Sequence, residues 1–145
     1  MALEYARSFK DLIVYRKGKE VSKLVFLLSK AFPKEETYAL TDQVRRSARS
    51  IGAQIAESWA KRRYEKHFVS KLTDADGEQM ETQHWISEAL DCGYISQEEE
   101  AKLTASLAEI GRMLNGMIEK SDAFCGQYPS TLKEDAVDYF IPDDP

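Results

Sequence analysis

Proline is almost absent from most of this chain, and that scarcity constrains the fold more than any other feature. Of the four prolines, Pro33 is the only one that precedes Pro129, and the 145 residues include only seven glycines. Proline and glycine are the residues that most often interrupt helices and strands. The sequence therefore predicts long helices, and a chain of this length fits one domain with a single core.

Two helices are predicted in the first half of the chain. Apolar residues from Asp11 to Phe32 recur at spacings of three, four and seven, which is the period of an amphipathic helix, and Pro33 stops this first helix. The second helix carries an apolar line from Leu40 to Trp59 at steps of three and four. A flanking line contains only small residues, which let another helix approach closely: Gly52, Ala53, Ala56 and Ala60.

Two further helices follow. The third is predicted from about Tyr64 to Cys92, and its middle, Thr73–Gln83, is unexpectedly polar for a helix that packs in a core. The fourth begins after Ser96, because Ser96 and Glu99 have the S-x-x-E spacing of a capping box. The last apolar residues of its stripe are followed by Gly126, which is expected to end it.

Four amphipathic helices joined by short connections predict an all-α fold, an antiparallel up-down-up-down four-helix bundle over residues 1–126. No strand pattern competes with this assignment. The remaining residues, 127–145, form an acidic C-terminal tail that also contains apolar side chains: Val137, Tyr139, Phe140 and Ile141. Such a segment is expected to be disordered alone and to dock on a partner.

Composition excludes several classes of protein. The formal net charge is -5 and the pI about 5.1, which argues against a protein that coats nucleic acid with its whole surface. Cys92 and Cys125 match neither a disulfide framework nor a metal motif, so they are interpreted as reduced thiols of a cytoplasmic protein. Apolar runs are too short for a secretion signal or a membrane span, so no membrane partner is expected.

The motifs do not indicate a reaction centre. Glu81 and His84 have Glu-x-x-His spacing, but a di-metal bundle needs that motif from two helices. The only other histidine, His67, has Tyr64 three residues before it instead of a glutamate. Phosphate-binding glycine loops are absent, and the acidic residues at 74–78 are interpreted as solvated surface. The sequence predicts no enzyme, no cofactor and no metal. A metal-binding bundle around Glu81 and His84 is the least favoured alternative.

Basic residues are concentrated on the predicted second helix and the corner after it: Arg45, Arg46, Arg49, Lys61, Arg62 and Arg63. The last three mark a helix end, where cations complement the carbonyl groups of the C-terminus. The first three fan over one side of the helix. They are interpreted either as partners of acidic residues, including those of a neighbouring subunit, or as phosphate contacts. Pairing is favoured because 25 acidic residues supply partners, but both interpretations remain open.

The second-helix segment LTDQVRRSARSIGAQIAES resembles the pattern Q-x-R-R-A-x-x-S-I-x-x-N-I-A-E-G of the 23S rRNA-intervening sequence proteins. The segments KDLIVYRKGKEV and ETQHWISEALDCGYIS resemble other patterns of that family, and the likeness extends from about Phe9 to Phe124. Ser58 and Ala60 replace glycines of the family pattern. The second helix is therefore expected to continue to about Arg63.

The resemblance implies a left-handed antiparallel bundle that assembles into a homo-oligomer, expected to be a pentamer. It implies a non-enzymatic scaffold for another protein or nucleoprotein. The alternative is a nucleic-acid-binding module, as in the related accessory proteins of diversity-generating retroelements, which bind RNA or DNA and a reverse transcriptase. Arg45, Arg46 and Arg49 are then the candidate contacts. The acidic tail is expected to lie across this basic side and to compete with anionic partners.

Overall fold

The computed structural model describes residues 6–126, and within this part every regular element is helical. A 3-10 turn at Phe9–Asp11 precedes the first long helix, and a 3-10 turn at Lys34–Glu36 and a π turn at Thr37–Thr41 lead into the second. The helices are α1 (Ile13–Ser29), α2 (Asp42–Ala60), α3 (Glu65–Asp91), α4 (Gln97–Glu119) and the short α5 (Ser121–Cys125). The tail, residues 127–145, lies outside the described residues, and so does its predicted docking.

The four long helices form the predicted antiparallel bundle. Each helix packs on its neighbours in sequence, and α1 also contacts α4, which closes the four-helix arrangement. Contact is most extensive between α2 and α3, less so between α3 and α4, and thinnest between α1 and its two neighbours. The predicted all-α, up-down-up-down fold is therefore confirmed.

The core lies along the bundle axis and is formed by one apolar stripe from each helix. Its largest fully buried side chains include Phe68, Ile51, Ile55, Leu72, Ile86, Leu103, Leu107, Ile110 and Leu114. Burial of each such side chain stabilises the fold by roughly 1.5–3 kcal/mol. The opposite faces of the helices are polar. In the part of the chain that the structure describes, no helix combines the length and the apolar character needed to cross a bilayer.

Polar residues in the middle of α3 also face the core. Thr82 is fully buried, and its Oγ1 lies 2.8 Å from Ser47 Oγ on α2. Gln79 donates from Nε2 to Asp76 Oδ1 at 2.8 Å, and its Oε1 accepts from Gln83 Nε2 at 2.7 Å. Every buried side-chain nitrogen or oxygen within residues 6–126 has a hydrogen-bond partner. The polar layer therefore avoids the cost of an unpaired buried group.

Helices α1 and α2 end earlier than the sequence predicted. The predicted end of the first helix at Phe32 is wrong, because after Ser29 the backbone tightens into i to i-3 hydrogen bonds that run up to Phe32. The expected continuation of the second helix to Arg63 is also wrong. Lys61, with φ -101° and ψ 16°, leaves the helical region, so α2 ends at Ala60 without a glycine.

The start of α4 is confirmed, whereas its predicted end is wrong. Ser96 Oγ accepts a hydrogen bond from Glu99 N at 3.1 Å, and Glu99 Oε1 accepts one from Ser96 N at 2.8 Å, which completes the capping box. The helix does not reach Gly126 unbroken. Lys120, with φ -108° and ψ 29°, interrupts it and separates α4 from α5.

A hydrogen bond joins the two loops at one end of the bundle. Tyr94, in the turn between α3 and α4, donates from its hydroxyl to Glu36 Oε2 at 2.7 Å, and its ring packs on Phe32 at 5.5 Å between centroids. The hydrogen bond to Glu36 raises the pKa of Tyr94 to about 12, with burial adding to the effect. The protonated phenol therefore helps to hold the α1–α2 connection against the α3–α4 turn.

The free energy of unfolding is expected to fall as the pH rises from about 10 to about 12, and this fall should be smaller in Tyr94→Phe. An unfolded tyrosine loses its proton near its ordinary pKa of about 10, below the folded-state pKa of Tyr94. Deprotonation in this window therefore favours the unfolded chain. Urea unfolding at several pH values measures the difference. Tyr38→Phe is the control, because Tyr38 is 82% exposed. Identical slopes in wild type and Tyr94→Phe would contradict the prediction.

Two glycines of α4 are expected to respond differently to alanine. A Cβ on Gly111 would lie 2.8 Å from Gln79 Nε2 and 3.1 Å from Asp76 Oδ1, whereas one on Gly116 meets nothing within 4 Å. Gly116→Ala should raise the free energy of unfolding by up to about 1 kcal/mol through helix propensity. Gly111→Ala must displace the hydrogen-bonded Gln79 amide and should be at least about 1 kcal/mol less stable than Gly116→Ala. Urea denaturation of both variants tests this, and equal stabilities would contradict it.

Candidate interaction surface

The six basic residues predicted as interface or nucleic-acid contacts occupy three different places. Arg45 and Arg49 lie on the side of α2 that faces α1, where both approach Phe26. Arg46 lies on the side that faces α3. The other three lie in the turn after α2: Lys61, Arg62 and Arg63. The three helix-two arginines thus have different partners, although all three line one open hollow of about 510 Å³ on α2.

Phe26 of α1 is surrounded by three cations. The guanidinium carbons of Arg45 and Arg49 lie 4.8 and 5.6 Å from the centre of its ring, and Lys30 Nζ lies 4.8 Å from it. Each distance falls within the range of a cation–π interaction. Arg45 also donates from Nε to the hydroxyl of the buried Ser29 at 2.7 Å, which fixes its direction. We call this group, Phe26 with Lys30, Arg45 and Arg49, the Phe26 cluster.

A groove runs along the outside of the bundle between α1 and α2, next to the Phe26 cluster. Its two hollows enclose about 420 and 380 Å³, and Arg49 lines both. Lys19 and Lys23 line the same groove from the α1 side. Tyr15 packs closely on Gly52, where an added Cβ would lie 3.4 Å from the tyrosine ring. Three residues of the predicted small-residue line on α2 also line the groove: Gly52, Ala53 and Ala56.

Arg46 is held in an ion pair between α2 and α3. Its guanidinium donates to Glu81 Oε2 at 3.0 Å, and the indole of Trp85 donates to the same oxygen at 3.1 Å. Glu81 is thus occupied in joining two helices. The pKa of the neighbouring Glu78 is raised by burial and by the charge of Glu81, while Arg46 opposes the shift.

The corner after α2 is closed by an arginine and a tryptophan. Arg62 donates from Nε to the carbonyl oxygen of Trp59 at 2.8 Å, and its guanidinium lies 3.6 Å from the centre of the Trp59 ring. The side chain therefore satisfies a carbonyl at the end of α2 and stacks on the indole at the same time. This arrangement gives Arg62 a structural role at the corner. A role of this kind was expected for cations at a helix end.

The candidate metal pair, Glu81 and His84, does not converge on a common point with other ligands. Glu81 is engaged with Arg46 and Trp85, whereas His84 is exposed and makes an edge contact of 4.8 Å with the Trp85 ring. Residues 6–126 contain no group of three or more histidine, cysteine, aspartate or glutamate side chains placed to hold a metal ion.

The two cysteines lie in different environments. Cys92 is exposed at the end of α3, and Cys125 is buried in α5. Burial raises the pKa of the Cys125 thiol, and the nearby charge of Glu65 adds to this. Neither forms a disulfide within residues 6–126.

Charge is segregated between the two halves of the bundle. Helices α1 and α2 together carry a net charge of +4, while α3 and α4 together carry -8. The acidic half is visible in the sequence, because the stretch from Leu72 to Ala101 holds nine acidic residues and no lysine or arginine. Because α1 and α2 are neighbours and α3 and α4 are neighbours, these charges lie on opposite sides of the molecule.

Comparison with known proteins gives a family match and several similar solved structures. The model of a family described as 23S rRNA-intervening sequence protein matches residues 10–116. The fold is similar to a crystal structure of a protein with unknown function from the S23 ribosomal protein family of Bacteroides thetaiotaomicron. The two chains share 28% identity with a TM-score of 0.66, over 73% of this chain and 98% of the other. No curated protein shows significant sequence similarity to this chain.

Proposed function

Because this chain belongs to the 23S rRNA-intervening sequence protein family, we propose that it is a non-enzymatic assembly protein. It forms a homo-oligomeric ring, expected to be a pentamer, and the ring serves as a scaffold for another protein or nucleoprotein. The observation that carries this proposal is the segregation of charge between the α1–α2 side and the α3–α4 side.

Opposite charges on opposite sides favour one kind of self-association. When two copies meet through the same side, like charges face each other, which is unfavourable. When the basic side of one copy meets the acidic side of the next, unlike charges face each other, and the pair keeps one free acidic side and one free basic side. Repetition of such a head-to-tail contact generates a ring if the rotation between copies closes.

The interior of the bundle is consistent with a structural role. Its buried polar side chains are bonded to one another: Thr82 to Ser47, and Gln79 to Asp76 and Gln83. These contacts join turns of α3 and connect α3 with α2. The features available to a partner therefore lie on the outside of the helices, in the groove and on the charged faces.

The purified protein is expected to have a mass that is a multiple of 16.5 kDa, five-fold for the pentamer. Multi-angle light scattering at micromolar concentration measures this mass. The assembly should dissociate more readily as the salt concentration rises, because screening shortens the range of charge attraction from about 10 Å at 0.1 M to about 3 Å at 1 M. A monomer at low salt would contradict the proposal.

A second candidate function is binding of nucleic acid, and the composition of the groove favours it over a generic basic surface. Five cations lie in or beside the groove: Lys19, Lys23 and Arg49 line it, and Lys30 and Arg45 lie over the adjoining Phe26 ring. Arg46 does not belong to this set, because it is paired with Glu81. This function would use the groove of each copy to follow a phosphate backbone, with or without a reverse transcriptase as a further partner.

Under this second function, binding of a single-stranded RNA or a DNA duplex should weaken between 50 and 200 mM salt. Contact of all five cations would give a log-log slope near -4.5 for duplex and -3.5 for single strands. Arg45→Ala/Arg49→Ala should weaken binding and make the salt slope shallower, by the contribution of about two phosphate contacts. Lys102→Ala/Arg112→Ala, on the outer face of α4, is the control with the same change in charge. Absence of binding at 50 mM salt would exclude this function.

A further inference from the structure

We infer that the groove between α1 and α2 receives the outer face of α3 from a second copy of this chain. This inference rests on the proposed self-association and names the two surfaces that meet in it. The contact is heterologous, because the groove and the face of α3 are different surfaces of the same molecule.

The groove presents a rim with three cations and one carboxylate, that of Glu20, over a floor that includes small residues. Lys19, Lys23 and Arg49 are exposed, and within residues 6–126 none of them forms an ion pair. Arg45 and Arg49 are already oriented by Phe26, so less side-chain freedom is lost when they meet an acidic partner. The space over Gly52 is taken by the Tyr15 ring, whereas the small side chains of Ala53 and Ala56 leave room for another helix to approach.

The outer face of α3 has the complementary properties. Asp74, Glu88 and Asp91 are exposed, and none of the three forms an ion pair within the described part of the chain. Between them, Met80 is 58% exposed, and an added Cβ on Gly77 would meet nothing within 4 Å. The face therefore combines negative charge with the exposed apolar side chain of Met80 and, at Gly77, a position without a side chain. This combination suits a groove with a partly apolar floor.

The acidic face of α3 is long enough to span the basic rim of the groove. At a rise of 1.5 Å per residue, Lys19 to Lys30 covers about 16 Å of α1, and Asp74 to Asp91 covers about 25 Å of α3. Several unlike charges can therefore face each other along one pair of helices. Helix α4 suits the groove less well, because its five acidic and two basic residues give a net charge of -3, whereas the seven acidic and two basic residues of α3 give -5.

A charge exchange between the two surfaces tests the inference. The groove variant is Lys23→Glu/Arg49→Glu, and the face variant is Asp74→Lys/Glu88→Lys. Each of the four residues is exposed, so the helical fold should be retained, which circular dichroism and thermal unfolding verify. Each double variant alone should reduce the mass measured by light scattering to that of the 16.5 kDa monomer, because like charges then face each other.

The combined four-residue variant should recover the wild-type mass, since its negative groove again faces a positive α3. A contact between two grooves, or between two α3 faces, would not be restored by this exchange. Lys102→Glu/Arg112→Glu on α4 has the same charge change as the groove variant and should keep the wild-type mass.

Three results would overturn the inference. A groove variant that keeps the wild-type mass would show that the groove is not the contact surface, although the protein still self-associates. Loss of RNA binding in that variant would assign the groove to nucleic acid. A combined variant that stays monomeric would show that the two surfaces do not meet. A monomeric wild-type protein would remove both this inference and the proposed function.

Discussion

The packing of α3 against α2 and α4 is the interaction on which the rest of the bundle depends. These are the two most extensive helix contacts, and they contain the polar layer in which Thr82 meets Ser47 and Gln79 lies against Gly111. Since α1 is attached less extensively, the outside of the α1–α2 pair remains a groove. The strong contacts thus determine the fold, and the weaker ones leave a surface to which another molecule can bind.

Function in this molecule is better sought on its surfaces than in its interior. Polar side chains of the core, such as Gln79 and Asp76, are hydrogen-bonded to one another. The Phe26 cluster, the groove and the acidic face of α3 all lie on the outside of the bundle. The similar crystal structure, from the S23 ribosomal protein family, is itself of a protein with unknown function, so it supports the fold and leaves the role to physical argument. Self-association and binding of nucleic acid would use the same groove cations, and the two uses of any one groove therefore exclude each other.

Much of the fold could be predicted from the sequence, because apolar periodicity and the Ser96 capping box are local signals that the packing obeys. Helix ends were less predictable. The break at Lys120 and the end of α2 at Ala60 depend on backbone angles at single residues, and no proline or glycine marks either position in the sequence. The arginines of α2 were recognised as a group, but the sequence could not show that Arg46 turns towards Glu81.

The contacts of Phe26 could not be predicted from the sequence either. In the sequence it is one more apolar residue of the first helix, and only the crossing of α1 and α2 brings Arg45 and Arg49 to its ring. The acidic stretch after Leu72 is evident without any structure, yet its position opposite the basic helices follows only from the order of packing.

The contrast between the two thiols makes the native chain suitable for selective chemical labelling. A maleimide dye would react first at Cys92, whose sulfur is accessible, while Cys125 is shielded and holds its proton more firmly. One fluorophore per copy would then sit at the end of the bundle where Tyr94 meets Glu36. Energy transfer between copies could report subunit exchange in real time without any engineered cysteine.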